Sequence, residues 1–141
     1  MMRVVAIDYG TRRMGMAVSD PDGSMALALP VFVRQGDEGD VDRMADRLRE
    51  QGAERIVLGL PLNMDGTEGD SARQVRAFGT HLQARSGLAV EYVDERLTSE
   101  EAQDRLRGLP LSREKRRDHA NTVAAQIILE AYLSRKKGEK S

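Results

Sequence analysis

Cysteine is absent from the 141-residue chain. That closes disulfide, zinc-thiolate and cysteine-nucleophile chemistry. Histidine is nearly absent: His81 and His119 are the two, so a multi-histidine metal site is excluded. Aromatics are scarce, with three tyrosines, two phenylalanines and no tryptophan. A nucleic-acid partner would therefore be held by its backbone and shape rather than by stacked bases. No apolar run approaches the length needed to span a bilayer. No stretch has the pattern of a secretory leader, so a soluble cytoplasmic protein is expected. There is no internal repeat and no linker-like segment.

What is present is a globular composition, 40% hydrophobic and 32% charged, with a net charge of −1. The charge is unevenly spread. Residues 105–141 carry ten Lys/Arg against four Asp/Glu, and residues 1–104 carry twelve against nineteen. The basic third reads either as a solvated helix end or as a phosphate-binding surface, while acids elsewhere can hold cations. The length predicts one domain over 1–141, with a charged tail from about 134.

The organising stretch is Val4–Asp20. Val4 to Ile7 is a continuous apolar run, as expected of a strand covered on both faces. Asp8 ends it, Gly10 turns the chain, and Met14 to Val18 reads as a second strand. A carboxylate thus sits where a central strand leaves the core. Burial there demands a hydrogen bond, an arginine or a metal ion, and the reading favours a metal. Pro21-Asp22-Gly23 is a turn, and Met25–Val33 is a third strand. Val41–Gln51 has helical apolar spacing, Arg55–Leu60 is a buried fourth strand, Ser71–Ser86 is a helix and Leu88–Val93 is a fifth strand. Thr98 and Glu101 suggest a capping box opening a short helix to about Arg107. A last helix begins at Arg113 or Asp118 and ends at Leu133.

Three strands followed by helix–strand units predict an α/β fold. Its mixed five-stranded sheet has three antiparallel strands, then parallel ones, and helices on both faces. Ligands of such sheets gather at the carboxyl ends of the parallel strands. That edge would carry Asp8, the Pro61–Gly66 loop and Glu95. Asp118 and Asn121, three apart on the last helix, share a face that could join them. Asp8, Glu95, Asp118 and Asn121 are therefore the candidate catalytic and metal-ligating residues. Hard cations such as Mg²⁺ or Mn²⁺ take oxygen ligands of this kind. Two ions about 3.5–4 Å apart can activate water and stabilise a phosphodiester's leaving oxygen. Each residue also reads structurally. Asp8 could cap a turn, Glu95 could pair with Arg96 or Arg12, and Asp118 could be a helix N-terminal charge. Asn63 and Asp65 are ordinary turn formers that could equally contact substrate. Arg12, Arg13 and Arg96 fall near the same edge. Arg113, Lys115, Arg116 and Arg117 could track a phosphate backbone.

Several ordered motifs carry a family resemblance. They are Asp8-Tyr9-Gly10-Thr11 with Gly15 and Ala17-Val18-Ser19-Asp20, then Gly59-Leu60-Pro61-Leu62-Asn63-Met64-Asp65-Gly66. Asp94-Glu95-Arg96-Leu97-Thr98 and Ala124-Ala125-Gln126-Ile127-Ile128-Leu129-Glu130 follow. Over essentially the whole chain the sequence resembles the YqgF (RuvX) family, the Holliday-junction-resolvase-like branch of the ribonuclease H superfamily. The resemblance implies a ribonuclease H-like fold and divalent-metal phosphodiester hydrolysis. It also implies trimming of the 5′ end of the small-subunit rRNA precursor. Asp8 and Glu95 match the family's first two acidic positions. Asn121 stands where the family has aspartate, six residues before Ile127. Asn121 can ligate through its carbonyl oxygen but brings no charge, and Asp118 one turn earlier could compensate, as in related resolvases. The expected partners are the rRNA precursor within the small-subunit precursor, or branched DNA, with the protein a monomer or weak homodimer. The rival readings are a repair nuclease, a ribosome-assembly factor that binds RNA without cutting it, and an ATP-binding domain of the actin and sugar-kinase kind. The last needs two such domains and is disfavoured by length.

Overall fold

A computed structural model describes residues 2–96 and 98–140, with the side chains at 99, 139 and 140 also left out. Leu97 of the Asp94–Thr98 motif lies outside the described residues. The elements are β1 (Val4–Asp8), β2 (Arg13–Ser19), β3 (Ala26–Val33), α1 (Gly39–Glu50), β4 (Arg55–Leu60), α2 (Asp70–Ser86), β5 (Ala89–Asp94), α3 (Thr98–Leu106) and α4 (Arg113–Lys140). The sheet order is β3-β2-β1-β4-β5. β1–β2 and β2–β3 are antiparallel, and β1–β4 and β4–β5 are parallel. This is the expected mixed sheet.

Strand alternation divides the core in two. Val5, Ile7, Met14, Met16, Ile56 and Leu58 point to one face, against Met44 and Leu48 of α1 and Val75, Phe78 and Leu82 of α2. Val4, Ala6, Ala17 and Val57 point to the other, against Ala125, Ile128, Leu129 and Tyr132 of α4. The first face is filled by large side chains. The second is paved with small ones, and α4 lies down on it.

Two glycines set how close α4 comes. A Cβ at Gly15 would stand 1.8 Å from the backbone oxygen of Asn121. A Cβ at Gly59 would stand 2.5 Å from both Ile128 Cδ1 and Glu95 Oε2. Neither position accepts a side chain unless the helix or the acid moves.

α3 packs on the outside of α4 through Ala102, Ala124 and Ile127. Thr98 is the first residue of α3 and buried. Glu101 spends its carboxylate on Arg105 at 3.0 Å, and not on a capping box within the described contacts. The charged tail expected from about 134 is instead helix, since α4 continues to Lys140. Lys136 reaches Glu91 of β5 at 3.7 Å, and cations suit a helix C-terminus. Among the described residues no helix is long and apolar enough to cross a membrane.

Candidate active site

Asp8 is the last residue of β1, directly opposite Gly15 of β2. Alternation along β1 puts its side chain on the face that carries α4. Glu95 follows the end of β5, and its backbone N–H donates to the Leu60 carbonyl at 3.1 Å. Parallel pairing of β1, β4 and β5 therefore brings two acids, 87 residues apart in the chain, to one sheet rim. There the two carboxyl groups hydrogen-bond each other. Burial pushes Asp8 up to about 6, with the Glu95 hydrogen bond pulling the other way. Burial and the neighbouring Asp8 charge push Glu95 up to about 8. Two half-buried carboxylates in contact cannot both be charged without a compensating cation, so the metal-free pair shares a proton.

Asn121 and Asp8 line one cleft of about 350 Å³, together with Gln103, Arg113, Arg116 and Arg117. On its other side Asn121, with Arg113 and Arg117, borders a larger open groove of about 900 Å³ whose walls include Thr11, Arg12, Arg13, Arg34 and Gln35. The side chains of Arg12, Arg113 and Arg117 form no ion pair among the described residues. That leaves three cations uncompensated along this surface.

The other sequence candidates are engaged elsewhere. Asp118 lies over β2, where Arg13 Nε is 3.4 Å from its Oδ1, and Arg13 Nη2 is 3.5 Å from Glu114. Arg116 donates to the carbonyls of Leu106 and Leu109 at 3.1 and 2.6 Å, tying the α3–α4 connection together. Arg96 pairs with Asp94 at 2.8 Å and donates to the Met64 carbonyl at 3.1 Å, clipping two loops to each other. It does not pair with Glu95. Asn63 donates to Thr67 Oγ1 at 2.9 Å. Asp65 accepts from the Thr67 N–H at 3.0 Å and its hydroxyl at 2.6 Å, so the loop after β4 is held by its own side chains.

One half-buried group carried no sequence signal. Arg34, at the end of β3, donates to Asp40 at 3.1 Å and to the Gly10 carbonyl at 3.0 Å. Its guanidinium lies 5.2 Å from the Tyr9 ring centroid. It thereby braces the turn that follows Asp8. Asp40 is one of the few buried polar residues, and the motif of polar residues at 35–40 reads only as a loop.

Among the described residues, no group of three or more His, Cys, Asp or Glu side chains is arranged to hold a metal ion. What does come together is the Asp8–Glu95 carboxylate pair, with Asn121 lining the same cleft as Asp8. All are hard oxygen donors, and the pair is short of positive charge. Those are the requirements of a hard divalent cation.

A mixed sheet in this strand order, with acids at the rim of β1 and β5 and a helix laid across them, defines the ribonuclease H-like class of nuclease. Solved structures of resolvases share the fold. Thermus thermophilus RuvC in complex with a Holliday junction superposes with a TM-score of 0.58 at 16% identity, covering 98% of this chain and 97% of that one. The fowlpox virus resolvase bound to its junction gives 0.57 at 11% identity, covering 96% and 99%. The sequence profile described as "RuvX: Holliday junction resolvase" matches residues 2–135. The chain belongs to the RuvX family, a family of nucleases. Relatives from Anaeromyxobacter dehalogenans (strain 2CP-C) and Moorella thermoacetica are each 43% identical. They match over 96% and 95% of this chain and 98% and 96% of their own. Both carry the name "Putative pre-16S rRNA nuclease".

Proposed function

We infer that the protein is a divalent-metal-dependent nuclease that trims the 5′ end of the small-subunit rRNA precursor in the cytoplasm. The carrying observation is the hydrogen-bonded Asp8–Glu95 pair, with Asp8 lining a cleft beside Arg113 and Arg117 that Asn121 joins to the groove holding Arg12. Asp8 and Glu95 would hold Mg²⁺ or Mn²⁺, and the Asn121 carbonyl oxygen would be a neutral third donor. Such an ion, when bound, makes water nucleophilic at neutral pH and stabilises charge on the phosphate oxygens. The chain's own residues do the rest. Asp8 and Glu95 give up their shared proton on loading. Arg12, Arg113 and Arg117 fix the phosphate backbone on either side of Asn121. Arg34 keeps the turn after Asp8 in place. The names of the relatives support the rRNA substrate.

The test is incubation of the purified protein with three labelled substrates: 5′-extended pre-16S RNA, single-stranded DNA and a four-way DNA junction. Each is run with Mn²⁺ and with chelator, beside Asp8→Asn. Mn²⁺-dependent shortening of the RNA that Asp8→Asn abolishes is the expected result. Preferential cutting of the junction would replace the rRNA reading with a resolvase. RNA binding that survives chelation, without cleavage at any Mn²⁺ concentration, would replace it with an assembly factor.

A further inference from the structure

The cleft beside Asp8 has walls of two kinds. Arg113, Arg116 and Arg117 make it cationic, while Ala102, Ala120 and Ala124 line it with methyl groups. Phosphate binding accounts for the arginines and gives the alanines no part. The cleft measures about 350 Å³, the scale of one nucleoside, whereas the groove beyond Asn121 is open and about 900 Å³.

Its edge is apolar as well. Arg116 donates to the carbonyls of Leu106 and Leu109 at 3.1 and 2.6 Å, which pins the α3–α4 turn to a wall of the cleft. The Leu109 N–H donates to the Leu106 carbonyl at 3.1 Å, and Pro110 restricts the backbone of Leu109 further. Leu109 is nevertheless 46% exposed. A lone exposed leucine is ordinary; one held rigidly beside a cationic cleft is a platform. Aromatic rings do not fill this role. Each of the five carries a guanidinium between 4.8 and 5.9 Å from its centroid, and none lines the cleft. Tyr9, Phe32, Phe78 and Tyr92 pack in the α1–α2 core, and Tyr132 is buried.

Resting on the nuclease reading, we propose that this cleft is a nucleobase pocket: it takes one unpaired base, next to the phosphate to be cut, onto the alanines and against the Leu109–Pro110 tip. A base has flat apolar faces that shed water onto methyl groups. The phosphates flanking it meet Arg113 and Arg117. Gln103, also in the wall, offers a donor and an acceptor to the base edge and so suits any base. An unpaired base enters at little cost, whereas a paired one must first leave its stack. The pocket therefore selects strands that are single at the point of cleavage.

The test is fluorescence anisotropy on the full chain with chelator present, so that nothing is cut. The probes are a labelled oligouridylate and a sugar–phosphate strand of the same length without bases. The wild type should bind the oligouridylate about fivefold more tightly, the weight of one stacked base. Ala120→Leu fills the pocket and should reduce that preference to below about twofold. Leu109→Ala, at an exposed position that does not threaten the fold, should roughly halve it. Neither should alter the affinity for the baseless strand or its salt slope, because no phosphate contact is lost. Met25→Ala, 59% exposed at the far end of the sheet, should change nothing. Circular dichroism confirms that each variant is folded. Equal binding of the two strands by the wild type overturns the pocket. So does a preference that either pocket variant leaves intact, or a loss that falls equally on both strands. Mn²⁺-dependent shortening of pre-16S RNA by the same wild-type preparation, beside any of these results, keeps the nuclease reading and removes only the pocket. No binding of either strand together with no shortening removes both.

Discussion

Two acid sites lie on opposite faces of one sheet and behave in opposite ways. Asp40, at the start of α1, is 1% exposed. Burial alone would raise its pKa. The Gln35 and Gly36 N–H groups, Arg34 and Arg43 outweigh burial and hold it down at about 2. Asp8 and Glu95, under α4, have each other and little else, and burial drives them to about 6 and about 8. The residue type is the same, and the supply of donors decides the charge state. A carboxylate surrounded by N–H groups is a structural member. A pair left short of donors at a sheet rim is a place for a cation.

The largest expected effect separates the two sites by function. Asp8→Asn should lower cleavage by roughly 10³-fold while leaving the fold intact by circular dichroism. Asp40→Ala should do the converse. It removes the buried acceptor of the Gln35 and Gly36 N–H groups and of Arg34 and should cost about 2–3 kcal/mol in urea unfolding, with any loss of cleavage following the loss of folded protein.

The pH dependence of stability should also split. A raised pKa means the folded state binds the proton more tightly. The metal-free protein should therefore lose stability as pH climbs from the ordinary carboxylate range through about 6 and about 8. Asp40 runs the other way. Its contribution is whole above the ordinary value and fades as pH falls toward about 2. Asp8→Asn should flatten the alkaline limb, and Asp40→Asn the acid limb, in thermal melts across pH. Added Mn²⁺ should raise the melting temperature more near pH 8.5 than near pH 5.5, because protons compete for the pair. If the alkaline limb survives in Asp8→Asn, the pair is not its source.

The smallest effect concerns the groove between the sites. Arg117→Gln should weaken nucleic-acid binding a few-fold, equally across sequences, and reduce the salt slope by about one. Fluorescence anisotropy over a salt series measures both.

How much of this the sequence disclosed follows from where each signal is encoded. Arg55–Leu60 is legible because a strand buried on both faces is apolar at every position. Asp8 and Glu95 are legible because each ends such a strand, and parallel pairing aligns strand ends. The expected end of α4 at Leu133 is short because charged residues at a helix C-terminus resemble a solvated tail. Spacing put Asp118 and Asn121 on one helix face. It could not say that this face spans two strands, so that Asp118 meets Arg13 while Asn121 borders Asp8. Arg34 and Asp40 were missed because their contact depends on a chain reversal between β3 and α1, and no periodicity marks it. Arg96 and Arg116 look like free cations in sequence; in space Arg96 is spent on Asp94 and the Met64 carbonyl, and Arg116 on two carbonyls.

Gly15 and Gly59 contribute by having nothing to contribute. One leaves clearance for the helix backbone over β2, and the other leaves clearance for an acid over β4. Alanine replacement usually asks what a protein loses when atoms are taken away. At these two positions the same replacement adds a methyl group, so it works as a spacer inserted beneath the reactive groups. The pair makes a ruler already built into the chain: Gly15→Ala shifts the helix, Gly59→Ala shifts the acid, and comparing them reports which displacement the chemistry tolerates less.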